Sequence, residues 1–186
     1  MEKTVYILLA EGFEEIEAIS PIDILRRAGV QVRTCSITES KTVIGAHGIP
    51  FVADLCMAEL SDEEDLILLP GGMPGTLNLK NCEALRERML SHREKGGLFA
   101  AICAAPTVYG ALGFLKEEKA TCYPGMEGEL FCKEVRMEPV VVSGRFVTSR
   151  GAGTAFAFGL KLVEILCGND AARALAKGMC FEEGQA

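Results

Sequence analysis

The chain has 186 residues, 49% hydrophobic and 24% charged, with a net charge of −7. That suits one globular domain with a sizeable core. The acidic balance and lack of a basic block argue against nucleic acid and membrane surfaces as partners, and no apolar stretch is long enough to span a bilayer.

The first predicted element is the strand "TVYILLA" (Thr4 to Ala10), short, apolar and rich in β-branched or aromatic residues. "EEIEAISPIDILRRAG" follows as a helix. Arg26 and Arg27 suit its last turn and Gly29 its cap, while Pro21 kinks it or marks its first turns. "VQVRTCSI" (Val30 to Ile37) is a second strand, and "TVIGAHGIPFVAD" a short excursion of extended segments. "LILLPGG" (Leu66 to Gly72) is a strand running into a glycine turn. "CEALRERMLSHREKGG" (Cys82 to Gly97) is an exposed amphipathic helix on which His92 reads as solvated surface. "LFAAI" is the next strand, and "APTVYGALG" begins the next helix. "PVVVSGRFVTSR" (Pro139 to Arg150) reads as a hairpin about Ser143-Gly144. A helix from Thr154 to Gly168 and a shorter one near Ala171 to Lys177 end the pattern. Continuous apolar strands alternating with helices predict one doubly wound α/β domain with a mainly parallel sheet covered on both faces.

The 8 cysteines are Cys35, Cys56, Cys82, Cys103, Cys122, Cys132, Cys167 and Cys180. No two are spaced C-x-x-C, which removes zinc-ribbon and thioredoxin-type readings. No signal-peptide pattern precedes the first strand, so the expectation is a cytoplasmic protein with reduced thiols, most of them small buried hydrophobes.

Cys103 stands apart. It follows a predicted strand, with Ala101, Ala104 and Ala105 around it and Pro106 next. A strand that turns sharply into a helix forms a nucleophile elbow, whose crowded neighbours must be small. Pro suits the first helical turn, where its missing N–H costs nothing. A helix N-terminus presents unpaired N–H groups and a positive dipole end, which favour thiolate and predict a lowered pKa. The same N–H groups would stabilise an oxyanion. Small residues also suit plain packing, so this stretch alone leaves both readings open.

"AEGFEEIEA", "LPGG", "AAICAAP" and "TSRGAGT" occur in that order. In these motifs the chain resembles the ThiJ/PfpI superfamily over nearly its whole length, and more closely the branch of the parkinsonism-associated protein deglycase and its bacterial relatives. The resemblance implies a flavodoxin-like sandwich, a homodimer and an oxidation-sensitive cysteine. It implies glyoxalase or deglycase activity on methylglyoxal, glyoxal or their adducts, a role in oxidative stress, and chaperone-like behaviour. A thiazole-monophosphate biosynthesis label is also attached to many bacterial members, and no residue here supports it directly. No metal or organic cofactor is implied.

Carried over by the motifs, Cys103 matches the family's cysteine and Glu17 the carboxylate that hydrogen-bonds it. Gly72 and Ala104 match the positions whose N–H groups face the sulfur. On an ideal helix Glu17 shares a face with Ile24, Leu25 and Ala28. A carboxyl there has a raised pKa and suits general acid or base work, or simply helps the helix start. Glu14 and Glu15 are read as first-turn dipole partners only.

The sequence also departs from the family. Tyr123 stands where the related human protein has a histidine, which puts a Cys–His dyad in doubt and leaves Tyr123 as a possible substrate contact. His47 stands where relatives place an arginine associated with anion binding. Arg150, beside the glycine-rich turn that Thr154 is expected to cap, is a second possible anion-binding residue. Ala104 replaces the histidine of the peptidase branch, and no histidine follows His92, which excludes a glutamine amidotransferase triad. Two functions stand: a cysteine-dependent enzyme on small reactive carbonyls, and a non-enzymatic redox sensor or holdase with an oxidisable Cys103.

Overall fold

The computed structural model describes residues 3–181. In chain order the strands are β1 (Thr4–Leu9), β2 (Gln31–Ser36), β3 (Thr42–Ile44), β4 (Pro50–Val52), β5 (Leu55–Cys56), β6 (Leu66–Leu69), β7 (Leu98–Ile102), β8 (Lys119–Ala120), β9 (Glu134–Val135), β10 (Val140–Ser143) and β11 (Phe146–Ser149). The helices are α1 (Glu15–Arg27), α2 (Gly75–Lys80), α3 (Glu83–Glu94), α4 (Pro106–Ala111), α5 (Ala155–Cys167) and α6 (Asn169–Gly178).

Seven strands form the central sheet in the order β10-β11-β7-β6-β1-β2-β5, parallel except for the β10–β11 hairpin. Alternate strand residues feed two cores, because successive side chains point to opposite faces. Val5, Ile7 and Leu9 of β1 pack with α1 and α5 on one face. Tyr6 and Leu8 face α3 and α4 on the other, where Phe99, Tyr109, Phe114 and Phe146 form an aromatic cluster. This is the flavodoxin-like, doubly wound arrangement. The chain crosses from β1 to β2 on one face and from β6 to β7 on the other, so the switch point lies between β1 and β6. Ligands in such sheets bind beyond the strand ends at that point.

Several elements differ from the sequence reading. The extended excursion is an antiparallel β3–β4 hairpin followed by the edge strand β5. The short helix α2 and the small β8–β9 pair carry no strong periodic signal. The later hairpin turns at Gly144-Arg145, since Ser143 pairs with Phe146. Pro21 lies within α1, not in its first turn.

His92 corrects a surface assignment. It is 2% exposed, with Nδ1 3.3 Å from Glu64 Oε1, Nε2 2.9 Å from the Leu98 carbonyl, and its ring edge-on to Phe99. Arg88 closes the same Glu64 carboxylate from the other side. A helix with this many charges reads as solvated, yet Leu85, Met89 and His92 form its inner stripe. The cysteines are also less buried than expected. Cys35 and Cys122 are buried, four others are half-buried, and Cys167 and Cys180 are exposed; all eight are free.

Candidate functional site

The site forms where the ends of β1, β6 and β7 meet. β7 stops at Ile102, and Cys103 takes φ +64°, a left-handed conformation that costs a non-glycine residue about 1–2 kcal/mol. The surroundings hold it there. The Cys103 N–H continues the sheet ladder to the Ser149 carbonyl at 3.0 Å, and its carbonyl accepts the Tyr123 N–H at 2.8 Å. Ala101 and Ala105 are fully buried on either side, and Pro106 opens α4. This is an elbow, with the cysteine side chain half-buried at its tip.

Glu17 comes to the same place from α1. The helix starts two residues before it, with Glu14 as the cap accepting the Glu17 N–H at 2.7 Å. The Glu17 side chain is 1% exposed. Its Oε2 accepts the Gly71 N–H at 2.9 Å, and the Ala152 N–H and the Cys103 thiol lie beside the carboxyl and favour its ionised form. Burial, reinforced by the charge of Glu14, pushes Glu17 up to about 7.

The N–H groups of Gly72 and Ala104 face the Cys103 sulfur and favour its thiolate. Gly72 has φ +91°, and a Cβ there would lie 2.4 Å from the Glu14 nitrogen, so only glycine presents its N–H from this turn. The thiol pKa runs against the expectation of a lowered value. Burial, then the charge and hydrogen bond of Glu17, push it up to about 12, and the two N–H groups only partly offset this. The six-residue α4 adds little dipole to overcome a buried carboxylate one bond away. Of these two adjoining titratable groups the thiol is thus the weaker acid.

A cavity of about 400 Å³ opens above the sulfur, lined by Gly72, Met73, Cys103, Ala104, Tyr123, Pro124, Gly125 and Met126. Tyr123 is half-exposed and is held by its backbone bond to the elbow. The structure therefore brings Cys103, Glu17, Gly72, Ala104 and Tyr123 together.

It places His47 and Arg150 elsewhere. His47 lies in the turn between β3 and β4. There Glu15 accepts its N–H at 2.8 Å and faces its Nδ1 at 2.7 Å. The bond and then the charge of Glu15 raise His47, while the same bonds outweigh burial and lower Glu15. Glu15 thus anchors the hairpin to α1, beyond the dipole role expected of it. One ligand atom each from Glu14, Glu15 and His47 lie within 4.8 Å, a spacing compatible with a metal, but these carboxylates are already engaged in the cap and the hairpin anchor. The Arg150 guanidinium donates to the Met137 carbonyl and does not line the cavity. Thr154 stands at the N-cap position of α5, but its side chain makes no capping bond there; its hydroxyl turns back to Ser149 and Gly151.

Sequence reasoning placed Gly71-Gly72 at a ligand-binding strand end but missed that the Gly71 N–H holds Glu17, and it missed Ala152 beside that carboxyl and the two methionines of the cavity. The "LPGG" turn at a strand end was the available signal for Gly71. Ala152 carries no side-chain signal at all.

A strained cysteine at the strand ends of a doubly wound sheet defines a flavodoxin-like α/β protein with an elbow site. Residues 3–165 match the DJ-1/PfpI family, and the chain belongs to it. It is 43% identical over 173 residues to Arabidopsis thaliana protein DJ-1 homolog B, covering 91% of this chain and 40% of that protein. The chain spans less than half the length of that relative and of Arabidopsis DJ-1 homolog A, of which it covers 44%. It is 37% identical to the Caenorhabditis elegans glutathione-independent glyoxalase DJR-1.2, over 97% of both chains. Among solved structures, oxidized Toxoplasma gondii DJ-1 is 36% identical with a TM-score of 0.93, covering 96% of this chain and 98% of that one. No helix among the described residues is long and apolar enough to cross a membrane.

Proposed function

We propose that the protein is a cofactor-independent, cysteine-dependent enzyme acting on small 2-oxoaldehydes such as methylglyoxal and glyoxal, or on their adducts. The observation that carries this reading is the Cys103–Glu17 pair beneath the Gly72 and Ala104 N–H groups. The relative named a glutathione-independent glyoxalase supports it.

The pair suits the chemistry in order. Glu17, as carboxylate, takes the thiol proton while the sulfur attacks the aldehyde carbon, and the two N–H groups receive the developing oxyanion. A hemithioacetal results. Glu17 then moves a proton from the aldehyde carbon to the neighbouring carbonyl carbon through an enediol. The aldehyde carbon is oxidised to a thioester while the ketone carbon is reduced to an alcohol, so no outside oxidant enters. Water releases the 2-hydroxy acid and restores the thiol.

The second reading is a redox sensor or chaperone. The same two N–H donors and Glu17 would stabilise an oxidised Cys103, and a solved relative is described as oxidized. We also read the protein as a cytoplasmic homodimer. Ile16 and Ile19 of α1 and Ile44 and Ile49 of the β3–β4 hairpin are exposed apolar side chains that a second copy would cover.

The deciding experiment measures methylglyoxal loss and D- and L-lactate formation by the wild type, Cys103→Ser and Glu17→Gln. Lactate from the wild type and none from either variant supports the enzyme. No lactate from the wild type, with Cys103 oxidised first by peroxide, supports the sensor.

A further inference from the structure

The cavity above Cys103 is chemically one-sided. Apart from the sulfur, its walls are Met73, Tyr123, Pro124, Met126 and backbone. No lysine, arginine, histidine or carboxylate is among its lining residues. The neighbouring charges are negative or turned away. Glu17 lies beneath the sulfur, Glu127 accepts the Gly125 N–H at 2.8 Å beside the mouth, and Arg150 is tied to the Met137 carbonyl. An anionic substituent reaching past the floor of the site meets no cation among the lining side chains and is repelled by the Glu17 carboxylate below.

The volume points the same way. About 400 Å³ lies in the range of pockets that hold ligands far larger than methylglyoxal. The reactive carbonyls need only the floor, where the sulfur and the two N–H groups sit. The rest of the space is bounded by two thioethers and a phenol ring. Methionine is polarizable and adaptable, and it packs well on aromatic groups. The loop that carries Tyr123 and Met126 hangs from the elbow itself, through the Tyr123 N–H to Cys103 carbonyl bond and the Met126 N–H to Tyr123 carbonyl bond at 3.1 Å. The backbone of this part of the wall is therefore tied to the elbow.

Building on the proposed reaction, we propose that Met73, Tyr123 and Met126 determine specificity, selecting uncharged 2-oxoaldehydes with an apolar or aryl substituent and rejecting anionic ones.

The test compares phenylglyoxal, methylglyoxal and 4-carboxyphenylglyoxal as substrates of the wild type, Met73→Ala and Met126→Ala. The wild type should favour phenylglyoxal over its carboxylate analogue by about tenfold or more in kcat/KM. Each methionine variant should lower the phenylglyoxal to methylglyoxal ratio by about tenfold. Met126→Lys should narrow the gap between phenylglyoxal and the carboxylate analogue. Equal kcat/KM for the neutral and anionic aryl substrates would overturn the proposal. Should the wild type turn over none of the three, the proposed reaction fails, and the cavity's selectivity is read directly by alkylation. Iodoacetamide and iodoacetate rates at Cys103, resolved by peptide mass spectrometry, are each divided by the rate at free glutathione. A ratio favouring iodoacetamide about tenfold upholds neutral selection, and a ratio near one overturns it.

Discussion

Glu17 Oε2 accepts the Gly71 N–H at 2.9 Å, joining residues 54 apart in sequence directly beneath Cys103. The approach is possible because Gly71 has no side chain. A Cβ there would lie 2.7 Å from both Cys103 Cβ and Glu17 Oε2, and 2.9 Å from the Ile102 carbonyl. All three are parts of the site or of the strand that ends in it, so none yields without moving the chemistry.

Gly71→Ala should therefore lower turnover of methylglyoxal by about a hundredfold, the scale of a misplacement near 1 Å. It should also cost about 1–3 kcal/mol through overpacking. Gly128→Ala is the control, since nothing lies within 4 Å of its added methyl. Kinetics and thermal melts of both variants check this. A Gly71→Ala protein with wild-type kinetics would show that the Glu17 position is not critical.

The pH profile follows from the same carboxyl. Glu17 is the proton acceptor only when ionised, and burial places that step at about 7. The kcat/KM for a neutral 2-oxoaldehyde should rise with pH through about 7, and Glu17→Gln should abolish that limb along with most of the activity. Stability runs in the opposite direction. A folded pKa near 7 against an ordinary 4.5 means that stability is fully present below 4.5 and lost as pH rises to about 7. The shift corresponds to about 3 kcal/mol. Glu17→Gln removes this penalty, so urea unfolding at pH 5 and pH 8 should show the variant gaining on the wild type at the higher pH. A gap independent of pH would contradict an ionising, buried Glu17.

Cys103 carries the strain of the elbow at φ +64°. Cys103→Gly should be more stable than Cys103→Ala by about 1 kcal/mol, because glycine relieves a left-handed cost of about 1–2 kcal/mol and returns part of it as unfolded-state entropy. Both should be inactive. Denaturant midpoints measure the difference. If alanine were the more stable of the two, the turn would not be strained.

Much of this was legible in the sequence. Short apolar runs such as Leu66–Leu69 read as strands buried on both faces, and small residues around Cys103 are compatible with a sharp turn. Glu17 was readable as a carboxyl on an apolar helix face. What escaped depended on partners distant in the chain. His92 looks solvated beside Arg93 and Glu94, and only the approach of Glu64 and the Leu98 carbonyl makes its burial tolerable. Glu15 looks like a dipole partner until the β3–β4 turn delivers His47 to it. The thiol pKa was misjudged because local rules count the helix end but not a buried carboxylate brought by another helix. The cavity wall was hidden for the same reason, since Met73 and Met126 belong to separate loops.

The Glu64–Arg88–His92 cluster gives the last prediction. Burial alone would raise Glu64, but the bond from His92 and then that from Arg88 prevail and hold it at about 2. A depressed carboxyl stabilises the fold above its ordinary 4.5, and that contribution is lost as pH falls towards 2. Solvent reaching the Arg88 side reduces the full linkage to about 2 kcal/mol. At pH 7, Glu64→Gln leaves the largely buried Arg88 with only the exposed Asp62 carboxylate as counter-charge and removes the ionised acceptor beside buried His92, and it should cost about 3 kcal/mol. Between pH 4.5 and pH 3 the wild type loses what the variant has already lost, so the gap should narrow. Urea unfolding of both proteins at pH 7, 5, 4 and 3 checks this. A constant gap would mean that Glu64 acts by packing and hydrogen bonding alone, whatever its charge.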